Sequence, residues 1–203
     1  MAQFERQQLV VFDIESSGLN VETDRIISLS ACVTKADGSK VEFSELVNPG
    51  VLIPASASRV NNIYDETVSM ADSFGEVGQR FLAWVFEHAG DTPVLCAYNG
   101  DKFDFPMLYY ELRRHCTPEN VPPFKKLLCV DPYTVAKAAI SSGEVKNYRQ
   151  TSVYEHLFGA PPSGQHSSVG DTAALDKIVD HDVMHELLQE NCKTLKCLRT
   201  FVS

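Results

Sequence analysis

No stretch of the 203-residue sequence approaches the ~20 consecutive apolar residues that a membrane span requires. There is no internal repeat and no low-complexity tract, which argues against solenoids and fibrous arrays. None of the six cysteines (Cys32, Cys96, Cys116, Cys129, Cys192, Cys197) belongs to a CxxC pair, and their spacings suit neither a structural zinc site nor a disulfide framework. Several sit in apolar runs such as SLSACVT, PVLCAY and KLLCVD, where a thiol behaves as a small hydrophobe. Positive charge is also short. Eighteen Lys and Arg face 27 Asp and Glu, for a net charge of −9, which argues against non-specific binding to long duplex. The start, MAQFERQQLVVFD, places Glu5 and Arg6 before a short apolar run with no small-residue cleavage site behind it, so it does not read as a signal peptide. A soluble protein of a reducing, intracellular compartment (cytoplasm or nucleus) is expected, with no membrane partner.

What is present is ordinary globular material: 44 % hydrophobic and 22 % charged residues, enough for one domain over residues 1–203. Residues 8–14 read as a buried strand. RIISLSACVT (25–34) and SKVEFSELV (39–47) read as two more, joined by a turn at Ala36-Asp37-Gly38 into an antiparallel meander. NPGVLIPASASRVNN (48–62) reads as a long loop. Helical spacing over 73–90 and 105–116 brackets a strand at 92–98. A short strand at 126–131 precedes a helix starting at Pro132, a helix at 152–159 closed by Gly159, and two helices after residue 168. Strands alternating with helices imply parallel crossovers. The expected fold is α/β, a mixed sheet flanked by helices, with the antiparallel meander first and parallel strands after it.

LVVFDIESSGL (9–19) ends an apolar strand in two carboxylates. Asp13 and Glu15, at i and i+2, share a face. Two acids that close repel unless a cation lies between them. One reading is a solvated strand end with a turn at Ser16, Ser17 and Gly18; the other is a cation site. AYNGDKFDFPML (97–108) opens a helix with Asp104 before Pro106, and QHSSVGDTAALDKI (165–178) opens another with Asp171. Either aspartate alone is explained as a cap or a first-turn acid favoured by the helix dipole. His166, in a Ser/Gly loop, is alone explained as a surface histidine.

Taken in order, FDIESSGL (12–19), NGDKFDFPML (99–108) and HSSVGD (166–171) resemble the three motifs of the DEDDh family of 3′→5′ exonucleases, the superfamily of the polymerase proofreading exonucleases. The second and third motifs, with SVYEHLFG (152–159) before the last, look most like the three-prime repair exonuclease (TREX) group. The resemblance runs over residues 8–180. It implies a ribonuclease-H-like fold and two Mg²⁺ or Mn²⁺ ions held by Asp13, Glu15, Asp104 and Asp171. Asp13 would lie on both metals, Glu15 and Asp171 on the first, and Asp104 on the second through water. His166 would be the general base. It also implies that the Ser16 backbone meets the terminal 3′-OH and that Leu19 wedges beside the last base. Asn62 and Ile63 would line the terminal-nucleotide pocket, shaped further by Asn99 and Phe103. Core residues remain the alternative for Leu19 and Ile63.

The chemistry fits such residues. Hard oxygen ligands select Mg²⁺ or Mn²⁺, a dication pair stabilises attacking and leaving oxygens of a phosphodiester, and a histidine titrates near neutral pH. Lys146 and Arg149, just before the SVYEHLFG helix, are candidates for phosphate contact. Two positions depart from the TREX pattern: Tyr98 replaces a usual histidine and Lys102 a usual arginine. The expected partner is a single-stranded nucleic-acid 3′ end, DNA favoured over RNA by the TREX likeness. TREX kinship and the open edge of the meander also suggest a homodimer. The alternatives are an exoribonuclease and a catalytically silent module that binds nucleic-acid ends or a protein.

Overall fold

The computed structural model of the chain describes residues 4–115, 127–163 and 168–194. His166, Lys125, Lys126, Lys196, Arg199, Cys116 and Cys197 lie outside these residues.

Strands β1 (Leu9–Ser16), β2 (Ile26–Thr34) and β3 (Lys40–Leu46) form the antiparallel meander. β4 (Val94–Cys96) and β5 (Leu128–Val130) then run parallel to β1. A two-residue strand, β6 (Lys193–Thr194), pairs antiparallel with β5. The six-stranded order is β3-β2-β1-β4-β5-β6. This is the expected mixed sheet, with β6 added where only helices are expected.

The alternation of β1 sorts the core into two. Val10, Phe12 and Ile14 face α3 (Phe74–Ala89) and α4 (Asp104–His115), where Phe81, Leu82, Phe105 and Leu108 complete one cluster. Leu9 and Val11 face the other layer: α5 (Pro132–Ala139), α6 (Gln150–Phe158), α7 (Ser168–Asp180) and α8 (Asp182–Glu190). β1 is apolar on both faces because helices cover both. Asp13 and Glu15 continue the odd-numbered face, so the strand period aims them at the α5–α8 layer.

Segment 48–62, expected to be a loop, contains α1 (Ala55–Asn61), and α2 (Asp65–Val68) follows. Pro54 caps α1 and Asn62 ends it in a left-handed turn at φ 59°. The two helices cover Ile27 with Ile53, Ala57, Ile63 and Val68 as a small third cluster. α3 starts at a capping box in which Ser73 Oγ lies 2.8 Å from Glu76 Oε2 and the same oxygen accepts the Ser73 N–H.

Helix α7 is tied to the sheet by polar contacts. Ser168 Oγ lies 2.9 Å from Ser28 Oγ and 2.8 Å from Ser30 Oγ. Two turns on, the buried Asp176 accepts from Thr34 and pairs with Arg6 and Lys40. Arg6 also pairs with Asp180. The chain start is fastened again at Phe4, whose N–H donates to Gln189 Oε1 and whose carbonyl accepts from Gln189 Nε2, both at 2.7 Å. Cys32, Cys96 and Cys129 are buried and outside any disulfide. Among the described residues, no helix is long and apolar enough to cross a membrane.

Candidate active site

Asp13 and Glu15 project from the C-terminal end of β1 toward the first turn of α7, where Asp171 stands. One carboxylate oxygen from each of the three lies within 4.8 Å of the others. The rest of the cluster comes from α4. β4 stops at Cys96, alongside Val11, so the end of β1 has no parallel neighbour. Asp104, the first residue of α4, fills the space: its buried carboxylate accepts backbone N–H bonds from Ile14 and from its own residue. Asp104 is outside the 4.8 Å triple but close enough to raise the pKa of Asp13.

The electrostatics follow from burial and like charge. Burial pushes Glu15 up to about 7, with Asp171 adding repulsion. Burial likewise lifts Asp104 to about 7 against the pull of its backbone donors. Asp13 is raised well above the carboxylate range by burial, then by Asp104, Glu15 and Asp171. Four acids forced together without a counter-charge are an unstable arrangement. A hard divalent cation relieves it, and an all-carboxylate donor set is what Mg²⁺ or Mn²⁺ takes. The residues present therefore fit such an ion.

The expected substrate residues sit at the end of β1, at the end of α1, in the turn before α4 and ahead of α6. β1 and β2 slip register between Glu15 and Ser16, and the chain then turns. Ser16 Oγ donates to the Gly18 carbonyl at 2.6 Å. The Asp24 carboxylate accepts the Asn20 N–H, and a Cβ on Gly18 would stand 2.2 Å from that carboxylate. The loop so closed holds Leu19 in solvent at 85 % exposure. Leu19 is thus no core residue, whereas Ile63 is half-buried against the third cluster. Asn62 is exposed at the end of α1. Asn99 adopts a left-handed φ of 57° in the turn before α4, and Phe103 is half-buried against the first core cluster. Lys146 and Arg149 are exposed. Arg149 caps α6, next to Gln150, whose side chain donates to the Asp171 carbonyl at 2.7 Å. Other basic residues are engaged: Arg114 pairs with Glu111, and Lys193 with Asp101.

Three residues were missed by sequence reasoning. Asn61 donates to the Ser16 carbonyl at 3.3 Å, Gln150 holds Asp171, and Asp131 accepts the Asn99 N–H at 2.8 Å. Only Asp131 left a signal, the Asp-Pro pair that opens a helix.

A family model described as "Exonuclease" (RNase_T) matches residues 10–179. Among curated proteins, DNA polymerase III subunit epsilon of Treponema pallidum is 28 % identical over 93 % of this chain and 82 % of its own length. The Arabidopsis thaliana chloroplastic/mitochondrial exonuclease DPD1 is 28 % identical over 93 % of this chain and 60 % of its own. Human three-prime repair exonuclease 1 is 24 % identical over 83 % and 62 %. The chain thus spans about three fifths of the length of the latter two. Among solved structures, exonuclease X in complex with 5′-overhanging duplex DNA superposes with a TM-score of 0.60 at 20 % identity, covering 90 % of this chain and 98 % of that one. That likeness shows the shared fold.

Proposed function

The chain belongs to the RNase_T exonuclease family, matched over residues 10–179, and from that membership we propose that it is a metal-dependent 3′→5′ exonuclease acting on single-stranded DNA ends. The observation that carries this is the convergence of Asp13, Glu15 and Asp171 within 4.8 Å, with buried Asp104 beside them. Asp13, Glu15, Asp104 and Asp171 would hold two Mg²⁺ or Mn²⁺ ions, which when bound supply charge to offset the phosphodiester and make water a nucleophile at neutral pH. We take residues 1–203 as a single exonuclease domain.

The chain's own residues supply the rest. His166 takes the proton from the attacking water; it belongs to the segment just before α7, whose first residues meet the cluster. Leu19, held out on its closed loop, packs beside the terminal base, and Asn62, Ile63, Asn99 and Phe103 bound the pocket around it. Apolar contact with a base face is tolerant of sequence, as stepwise removal of any nucleotide demands. The Ser16 backbone receives the terminal 3′-OH. Arg149 and Lys146 meet backbone phosphates. DNA is favoured over RNA by the likeness of the motifs to the three-prime repair exonuclease group, and work on 3′ ends points to DNA repair. Two copies pair along β3, the outer strand of the sheet.

The test uses the purified chain with Mg²⁺ and 5′-labelled single strands of DNA and RNA of equal sequence. The expected result is a ladder shortening one nucleotide at a time from the 3′ end, faster on DNA and stopped by EDTA. Internal cuts, or hydrolysis unaffected by EDTA, would overturn the proposal. RNA shortened faster than DNA would reassign the substrate to RNA.

A further inference from the structure

We propose that Asp131 is a positioning residue that clamps the turn between β4 and α4 and so sets where Asp104 stands in the acid cluster. The inference rests on the metal-site reading above.

The chain must change from strand to helix between Cys96 and Asp104, and it does so in a wound turn. Gly100 N–H donates to the Ala97 carbonyl at 3.1 Å, Lys102 to Asn99 at 3.2 Å, and Phe103 and Phe105 both to Gly100, at 3.3 and 2.9 Å. Asn99 pays for the tightness with a positive φ of 57°. There is no room for another residue at Gly100: a Cβ there would stand 2.9 Å from the Ala97 carbonyl oxygen and from the Phe105 ring. Such a turn needs an outside hold, and Asp131 provides it. It lies at the end of β5, is 4 % exposed, and precedes Pro132 as the cap of α5. Capping explains one of its bonds, from Tyr133 N–H to Oδ1 at 2.9 Å. The other two go to the turn: Asn99 N–H to Oδ1 at 2.8 Å and Asp101 N–H to Oδ2 at 3.2 Å. A buried carboxylate accepting several backbone N–H groups forms charge-assisted bonds, stronger than neutral ones. From the other side, Lys193 on β6 pairs with the Asp101 side chain. The turn is thus gripped at two of its residues, and the next position after it is Asp104.

A plain capping role predicts that Asp131 matters to α5 alone. Asp131→Ser separates the two roles, because serine caps helices well but its single, shorter-reaching oxygen cannot also span to Asn99 and Asp101. Two readouts are taken on metal-free protein: Mn²⁺ uptake followed by the electron paramagnetic resonance of free Mn²⁺, and the rate of trypsin cleavage after the exposed Lys102. Asp131→Ser is expected to raise the half-saturating Mn²⁺ concentration about tenfold or more, the range seen when groups supporting a metal ligand are removed. It is also expected to speed cleavage after Lys102 while leaving the melting transition cooperative. Mn²⁺ uptake within twofold of wild type, or an unchanged cleavage rate, overturns the proposal. If Asp131→Ser does not melt cooperatively, Asp131→Asn carries the same criteria, since it keeps the side-chain shape but turns an N–H₂ toward the Asp101 N–H. Asp104→Asn is the control for the metal reading. Should wild type itself take up no Mn²⁺, that reading falls and the link to metal with it, while cleavage after Lys102 still decides whether Asp131 holds the turn.

Discussion

Asp13 and Glu15 carry a conflict that a proton or a counter-charge resolves, and the conflict is measurable without substrate. In the metal-free protein burial and like charge lift Glu15 and Asp104 to about 7 and hold Asp13 well above its usual range, against ordinary values of 4.5 for Glu and 3.8 for Asp. Each folded-state pKa is raised, so the folded state holds more protons than the unfolded chain between pH ~4 and ~7. The contribution of these groups to stability is therefore full below pH ~4 and is lost as pH rises through 7. In chelator, urea midpoints should fall from pH 5 to pH 7.5, and Asp13→Asn should flatten that fall and raise the midpoint at pH 7.5. Added Mg²⁺ should restore wild type at pH 7.5 but do little for Asp13→Asn, and the variant should lose hydrolysis. A midpoint that does not respond to the substitution would show that the acids are not in conflict. His166 makes a separate prediction: as the base, His166→Ala should slow hydrolysis about 10²-fold or more with Mn²⁺ uptake unchanged, and the wild-type rate should climb with pH through the imidazole pKa. A variant with the wild-type rate and pH profile would remove His166 from the chemistry.

At the scale of elements, legibility followed the strength of the local signal. β1, β2 and β3 were readable because apolar runs and one Asp-Gly turn mark them, and α3 because its capping box and Gly90 punctuate a helical stripe. The placement of Asp13 and Glu15 on one face needed only the strand period. α1 was not readable: its seven residues, rich in serine and preceded by proline, have weak propensity, and it is held by contact of Ala57 with Ile27 and Ile53 across the chain. β6 was not readable because two residues carry no pattern; the partner strand makes it. Asn61 and Gln150 were invisible for the same reason, since their bonds to Ser16 and Asp171 exist only once helices are packed. The polar seam beneath α7 is another tertiary feature. Removing the Asp176 carboxylate leaves Arg6 and Lys40 without it. Lys40 is 42 % exposed and can turn to water, whereas Arg6 is mostly buried. Asp176→Ala should therefore cost toward the low end of the usual range for breaking a buried pair, about 3 kcal/mol, read as a lower urea midpoint at unchanged slope. A loss under about 1 kcal/mol would mark the cluster as no more than a surface pair.

For the whole molecule, the net charge of −9 and the acid cluster belong together: some of the negative charge that argues against a general duplex binder sits in the cluster proposed to hold metal. The sheet ends at β3, whose exposed residues include Lys40 and Glu42. Two such strands, run antiparallel, set charges of both signs opposite one another. A dimer mass at micromolar concentration by analytical ultracentrifugation is expected, and Glu42→Pro should return the monomer, since proline removes a ladder donor. A monomer mass for the unaltered chain would leave β3 as a charged edge that wards off pairing.

The fastening of Phe4 to Gln189, across 185 positions of sequence, has a consequence in time. A ribosome delivers Asp13 and Glu15 early and Asp171 near the end. Until α7 and α8 emerge, the first two acids have Asp104 at most for company, Arg6 lacks Asp176 and Asp180, and Phe4 lacks Gln189. A nascent chain is thus spared the crowded cluster while it is being made, and the repulsion is met only when the last helices close onto the first strand.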